Sequence, residues 1–189
     1  AEFLNDRLRL DATTFFKKLL EDTHQRVGRY DSRYVGIASY SWEDKGSGSD
    51  PSYTQIYGAY SSGFNDYVRR SLGYESNLPY EILSNVRPWN YGDEFKARYV
   101  NVAQRLREAL IMNQFLRVHV CCGYYDLATP YFAAEYTLDR LLLHPDLRDN
   151  ISISYYEGGH MMYTIEKELA KQKENLAAFI RTAPRARGK

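Results

Sequence analysis

Apolar side chains recur every three to four residues in three stretches of the chain, which is the spacing of an amphipathic helix. These stretches cover residues 13–27, 51–72 and 93–112, and the last keeps the pattern most cleanly. Asp50 and Pro51 supply an N-cap and a first helical residue for the second stretch. The pattern therefore predicts a largely helical region before residue 113.

The last third of the chain alternates between short strand-like runs and helical stretches. Residues 115–122 form an apolar run, and residues 151–156 alternate apolar and polar side chains. A helix is predicted over residues 129–143, with Thr129 as its N-cap, and a final helix is predicted with Thr164 as its cap. Such alternation builds a parallel sheet with helices on its faces, so we predict an α/β fold for this part of the chain.

Composition narrows the function classes without choosing one. The chain has 189 residues, with 44% hydrophobic and 26% charged side chains, which is ordinary for one globular domain and excludes a disordered chain. Its 25 Lys and Arg side chains against 24 Asp and Glu give a net charge of +1, which argues against a nucleic-acid partner. No run approaches the roughly 20 apolar residues of a membrane span, so no membrane partner is predicted.

The metal-binding and redox candidates favour structural roles. Cys121 and Cys122 are neighbours in a predicted strand, where they point to opposite faces and cannot easily bridge, so buried free thiols are predicted. His119 in the same strand is predicted to be a hydrogen-bonded side chain that is buried or faces a partner, and not a metal ligand. Because no His, Cys or Asp cluster has zinc spacing and no Gly-rich phosphate loop is present, we predict no metal and no cofactor.

Two loops at the predicted carboxyl ends of the strands hold the main candidates for chemistry. Asp126 follows the first strand and His160 follows the second. Sites form at this edge of a parallel sheet, and neighbouring strands would bring the two side chains together. A carboxylate that accepts from one imidazole nitrogen leaves the other nitrogen as a general base. On spacing alone, a cap residue and a surface or core histidine remain the alternative.

Two motifs around these residues resemble those of the serine carboxypeptidases. Residues 123–130, Gly-Tyr-Tyr-Asp-Leu-Ala-Thr-Pro, resemble the acid motif of that family, and residues 156–162, Tyr-Glu-Gly-Gly-His-Met-Met, resemble its histidine motif. Residues 27–34 and the segment 65–74 resemble parts of its cap region. The bacterial branch is the most similar, and the resemblance extends over about residues 5–180.

The resemblance implies an enzyme that removes C-terminal residues from peptides through an acyl-enzyme, without a cofactor. Asp126 is then the acid of the catalytic triad and His160 is the general base. Met161 and Tyr125 are implied as substrate-binding residues. Tyr163 stands where many members of the family have Pro, which concerns the shape of the pocket and not the Asp–His pair. The family also favours a secreted or periplasmic protein.

The same resemblance implies an incomplete α/β-hydrolase fold, with a few parallel strands flanked by helices. Residues 1–50 correspond to a helical cap-region segment and loop, residues 51–113 to helical segments, residues 114–183 to the C-terminal core portion that carries the acid and the His, and residues 184–189 to a basic tail.

The nucleophile of the triad is not found in this sequence. The family places it in a Gly-x-Ser-x-Gly elbow upstream of the acid, and the closest segment, residues 46–50, fails because neither Ser has Gly two positions away on both sides. The resemblance therefore implies the C-terminal portion of a longer enzyme, inactive by itself. One sheet edge would be bare, so we expect pairing with a missing N-terminal half or self-association.

Two alternatives remain open. A chain with an acid and a base but no nucleophile could be a non-catalytic association or binding module. An esterase, an acyltransferase or a lyase could use the same scaffold and the same pair, because a fold does not determine the substrate.

Overall fold

The computed structural model describes residues 12–38, 50–78, 80–84, 86, 89–92 and 101–182, and its architecture is mixed α/β. The chain divides into two units, Ala1–Lys96 and Ala97–Lys189. The boundary falls inside the region 51–113, so the last of the helices predicted there belongs with the strands that follow it. An antiparallel strand pair lies in the first unit and a parallel pair in the second. The α/β prediction is confirmed at the level of fold class.

The elements of the first unit are helix α1 (Ala12–Lys18), a 3-10 turn (Glu21–Thr23), strands β1 (Gln25–Val27) and β2 (Val35–Ile37), helix α2 (Pro51–Asp66) and a π-helical turn (Tyr67–Ser71). The predicted helix over 13–27 is therefore wrong beyond Lys18. His24 takes a left-handed conformation, with a φ of 54°, and the chain then enters β1. Val27 is buried in the pairing with β2, because a β-branched side chain suits a strand as well as a helical stripe.

The predicted start of α2 is confirmed. Asp50 is its N-cap, and the Oδ1 atom accepts hydrogen bonds from the backbone N–H groups of Ser52 and Tyr53 at 2.9 and 3.1 Å. The Oδ2 atom accepts from the backbone N–H of Arg29 at 2.8 Å, so the cap also holds the turn between β1 and β2. Helical backbone continues to Ser71, close to the predicted end.

Helix α3 (Ala103–Met112) confirms the second half of the predicted helix 93–112, while residues 93–100 lie outside the described part of the chain. The residues that the structure describes between 78 and 92 form neither helix nor strand. None of the helices in the described ranges is both long enough and apolar enough to cross a membrane.

The second unit continues after α3 with strand β3 (Val118–Gly123), helix α4 (Tyr131–Asp139), the short helix α5 (Pro145–Arg148), strand β4 (Ile151–Tyr156), a 3-10 turn (Met162–Thr164) and helix α6 (Glu166–Arg181). Strands β3 and β4 are parallel, and their register runs from Val118 opposite Ile151 to Gly123 opposite Tyr156. The predicted pairing of the two strands is confirmed.

Two predicted helix caps are wrong. Pro130, not Thr129, directly precedes the first residue of α4, and the Thr129 hydroxyl bonds instead to Asp126 in the loop before the helix. Thr164 lies in the 3-10 turn, and Ile165 precedes α6 without a side-chain cap. The Thr164 hydroxyl donates to the Met161 carbonyl at 2.8 Å. Each threonine hydroxyl therefore bonds to a residue three positions earlier and does not cap the helix that follows.

The hydrophobic core of the second unit lies on one face of the parallel pair. Its members are Leu110, Leu141 and Leu143, against which Val118 and Ile151 pack. Helix α4 ends at Asp139 instead of continuing to residue 143 as predicted, and Leu142 takes a left-handed φ of 50° while the leucines on both sides of it are buried. On the other face Phe179 of α6 lies against His119. Helices thus flank both faces, as parallel strands require.

Candidate active site

The loops after β3 and β4 leave the sheet at the same edge and are joined by backbone hydrogen bonds. The N–H of Tyr124 donates to the carbonyl of Tyr156, and the N–H of Tyr125 donates to the carbonyl of Gly158, both at 3.0 Å. The ladder between the strands therefore continues beyond their ends. It sets the register of the acid loop, residues 124–129, against the histidine loop, residues 157–161.

Gly123, the last residue of β3, lies directly against the backbone of the histidine loop. A Cβ atom at this position would lie 2.3 Å from the carbonyl oxygen of Gly159 and 2.5 Å from that of Gly158. These are backbone atoms, which cannot rotate away as a side chain could. The sequence identifies Gly123 only as the end of a strand, whereas the structure requires glycine there for the approach of the histidine loop.

Asp126 is 5% exposed and is held by its own loop. Its Oδ1 atom accepts from the backbone N–H groups of Ala128 and Thr129 at 2.8 and 2.9 Å. Its Oδ2 atom accepts from the Thr129 hydroxyl at 2.6 Å. Oδ1 thus closes the turn by accepting from two backbone N–H groups, as a capping residue does, and Oδ2 is directed toward the histidine loop.

The structure brings the second candidate, His160, to this oxygen. The His160 Nδ1 atom lies 2.9 Å from Asp126 Oδ2. The imidazole is 43% exposed while the carboxylate is buried, so the pair presents its base outward and keeps its acid inside. With Nδ1 engaged by the carboxylate, Nε2 is the ring nitrogen on the side away from the acid.

The environment of Asp126 keeps its carboxyl group ionised. Burial raises the pKa of Asp126, but hydrogen bonds from His160 and Thr129, together with the His160 charge, outweigh burial and leave the pKa below its ordinary value. An ionised carboxylate at this distance stabilises a positive charge on the imidazole.

Acid is expected to remove the stability that Asp126 contributes. The folded pKa lies below the unfolded value of about 3.9, so the unfolded chain binds the proton more tightly. We therefore expect Asp126→Asn to lower the free energy of unfolding most above about pH 5, and this difference to shrink as pH falls through the folded pKa. Urea denaturation across this pH range measures the difference. The exposed variant Asp146→Asn is the control, and a loss that does not depend on pH would contradict the expectation.

Tyrosines anchor the acid loop on the α4 side of the sheet. Tyr124 stacks on Tyr155 with ring centroids 5.6 Å apart, and Tyr131 meets both rings edge-on. The Tyr155 hydroxyl donates to the carboxylate of Glu135 in α4. That hydrogen bond and burial raise the pKa of Tyr155 to about 12, so the hydroxyl remains a donor at neutral pH. The anchor fixes the loop where it leaves β3.

Glu168 anchors the histidine loop from the other side. Its side chain is 2% exposed, and its Oε2 atom accepts from the backbone N–H of Glu157 at 3.0 Å. The sequence offers no signal for this contact, because Glu168 reads as one of several charged residues of α6. For Thr129 a signal exists, since a hydroxyl three residues after an Asp fits a turn closed by that Asp.

The predicted substrate-binding residues flank the pair in the chain. Met161 follows His160 and is half-buried, and its carbonyl accepts from the Thr164 hydroxyl at 2.8 Å. Tyr125 precedes Asp126 and is 37% exposed. Their part in binding a substrate stays a prediction.

The other candidates lie within the sheet. Both cysteines are free thiols, as predicted; Cys122 is buried, which raises its pKa, and Cys121 is half-buried. His119 is half-buried, and its Nδ1 atom lies 2.8 Å from the Ser152 hydroxyl as the predicted hydrogen bond requires, whereas its Nε2 atom is buried without a hydrogen-bond partner in the described part of the chain. In the ranges that the structure describes, no group of three His, Cys, Asp or Glu side chains is placed to hold a metal ion.

The arrangement is suited to proton transfer at a group lying beyond the imidazole. A buried carboxylate orients the ring and balances its charge, and the half-exposed ring can take a proton and return it. Comparison with known proteins adds no identity to this geometry: no family model matches the chain, and no match is found among curated proteins or solved structures.

Proposed function

We propose that this chain supplies the acid and the base of a serine carboxypeptidase active site on an α/β-hydrolase scaffold. The observation that carries the proposal is the 2.9 Å contact of Asp126 Oδ2 with His160 Nδ1 at the carboxyl ends of two parallel strands. The resemblance of both surrounding motifs to that family supports it. The chain order, acid before histidine, is also that of α/β hydrolases.

In the proposed reaction, a Ser hydroxyl from a segment outside this chain attacks the carbonyl carbon of the last peptide bond. Its proton passes to His160 Nε2, and Asp126 stabilises the imidazolium. The imidazolium then gives that proton to the amine of the departing C-terminal residue, and an acyl-enzyme remains. A water molecule enters, loses a proton to His160 and releases the shortened peptide, and the proton returns to the Ser. Met161 and Tyr125 would line the pocket for the peptide.

Strand β3 offers the edge at which the rest of such a sheet would dock. Val118 and Tyr124 donate their backbone N–H groups toward β4, at 2.9 and 3.0 Å. The alternate residues His119 and Cys121 therefore direct their backbone groups to the opposite side. Within the described residues no further strand lies beside β3. The proposed partner is an N-terminal half that pairs along this edge, and self-association is the expected alternative in its absence.

Labelling with an active-site-directed fluorophosphonate tests the proposal. The probe is applied to this chain alone and to the longest native protein that contains it, and the adduct is located by mass. We expect a labelled Ser in the native protein, no adduct on the chain alone, and loss of labelling in His160→Ala. His144→Ala is the matched control, because His144 faces Asp146 at 3.5 Å on the exposed surface. An unlabelled native protein would contradict the proposal.

A non-catalytic association module is the second candidate, because the sequence holds an acid and a base without a serine elbow. If the protein is such a module, the fluorophosphonate does not label the native protein. An esterase or an acyltransferase would be labelled in the same way, since it would use the same pair. Release of a free amino acid from a peptide of defined sequence, compared with hydrolysis of a simple ester, separates these activities from a carboxypeptidase.

A further inference from the structure

The Thr129 hydroxyl contacts both the acid and the base and has no part in the reaction described above. Its Oγ1 atom lies 2.6 Å from Asp126 Oδ2 and 3.2 Å from His160 Nδ1. The carboxylate and the imidazole are themselves 2.9 Å apart, so the three polar atoms form a closed triangle. Any hydrogen atom in this triangle is contributed by the hydroxyl or by the ring.

A count of protons decides which of the three atoms donate hydrogen bonds and which accept them. A hydroxyl carries one proton and two lone pairs, whereas an ionised carboxylate can only accept. The shorter of the two hydroxyl contacts is the one to Asp126, so the hydroxyl proton lies on that line and a lone pair of Oγ1 faces the ring. If Nδ1 were unprotonated, it would face two acceptors with no hydrogen atom between them. If Nδ1 carries a proton, that proton is shared by Oδ2 and Oγ1, and each side of the triangle then has a hydrogen atom between its two polar atoms.

We propose that Thr129 is a positioning residue that, together with Asp126, holds the proton of the neutral His160 ring on Nδ1 and so leaves the Nε2 lone pair as the base. The hydroxyl acts twice. It adds a second acceptor for the Nδ1 proton, and it keeps Oδ2 of the carboxylate turned toward the ring. The catalytic value of this arrangement rests on the proposed function, but the position of the proton does not, because it is a property of this chain alone.

Nitrogen NMR of the histidine rings tests the proposal directly. The chain is labelled with ¹⁵N-histidine and studied at about pH 9, where an ordinary histidine is neutral. In the wild type we expect the proton of His160 on Nδ1. In Thr129→Val, which keeps the shape of the side chain without its hydroxyl, we expect the population with the proton on Nε2 to rise about tenfold, as the loss of one hydrogen bond allows. Thr129→Ser should restore the wild-type spectrum.

Internal controls separate this effect from a change of fold. The exposed His144 lies in the same spectrum, and its tautomer should be the same in all variants. If Thr129→Val does not fold, Thr129→Ala removes the same hydroxyl with less bulk and replaces it in the comparison. A folded variant in which His160 keeps its proton on Nδ1 as completely as the wild type overturns the proposal.

The test also distinguishes this inference from the proposed function. A tautomer shift in the chain combined with an unlabelled native protein would leave Thr129 as the residue that positions the proton and would reject the hydrolase. An unchanged tautomer combined with a labelled native protein would reject the role of Thr129 and support the hydrolase. Where both hold, Thr129→Val should lower kcat by up to about tenfold with little change in KM, because the imidazolium that forms during the reaction loses one of the two acceptors of its Nδ1 proton. Thr129→Ser should recover kcat.

Discussion

Asp126→Asn is expected to lower turnover by about 10⁴-fold in the native protein that completes this site. The amide oxygen can replace Oδ1 and keep its two backbone hydrogen bonds, which places the amide NH₂ group where Oδ2 faces His160. That group donates, so Nδ1 must accept and the ring proton moves to Nε2. The base then has no lone pair toward the nucleophile, and the imidazolium loses its counter-charge. Peptide hydrolysis at saturating substrate measures the loss.

The surface of the same unit supplies matched controls for this prediction. His144 and Asp146 form an exposed pair at 3.5 Å. Asp146→Asn and His144→Ala should leave turnover unchanged, whereas His160→Ala should cost as much as Asp126→Asn or more. Turnover close to that of the wild type in Asp126→Asn would remove Asp126 from the proposed role.

The second large effect is expected from Gly123→Ala. The added methyl group would overlap the carbonyl oxygens of Gly158 and Gly159, so the histidine loop must move away from the acid loop. We expect a loss of about 1–3 kcal/mol in the free energy of unfolding, the usual cost of overpacking. Turnover of the completed enzyme should fall by about 10²-fold, because a displacement of about 1 Å misplaces the base. Urea denaturation and kcat are the two measurements.

Glycines of helix α2 are the controls for that substitution. Gly58 and Gly63 have no atoms within 4 Å of an added Cβ, so alanine there meets open space. Each change should leave stability equal to the wild type or raise it by up to about 1 kcal/mol, since alanine favours a helix over glycine. A Gly123→Ala protein as stable and as active as these controls would show that the two loops do not approach as closely as described.

Much of the second unit can be predicted from its sequence because its signals are local. The apolar run before Gly123 and the alternation of residues 151–156 both mark strands, and the helical stretch between them implies a parallel pairing. Parallel strands end at one edge, so chain order and strand direction predict that Asp126 and His160 lie at the same edge of the sheet, and the loops then bring the two side chains into contact.

What the sequence does not predict depends on contacts between distant segments. Thr129 before Pro130 has the pattern of a helix cap. Its hydroxyl donates instead to the carboxylate of Asp126, because a hydrogen bond to a charged acceptor is stronger than a cap bond to a neutral backbone N–H group. Val27 completes a helical stripe and yet lies in a strand, because pairing with β2 decides its conformation. The need for glycine at position 123 is set by a loop that lies about 35 residues further along the chain.

The parallel pair also has a consequence for the order of assembly. Asp126 and His160 are 34 residues apart, and the elements between them in the chain are α4, α5 and β4 of one unit. Closing a loop of this length costs only slightly more entropy than closing a much shorter one, because the cost grows with the logarithm of length. The acid and base can therefore be aligned by this unit before any nucleophile is in place. In an enzyme that uses this acid–base pair, peptide cleavage would begin only when the segment that carries the nucleophile docks against it.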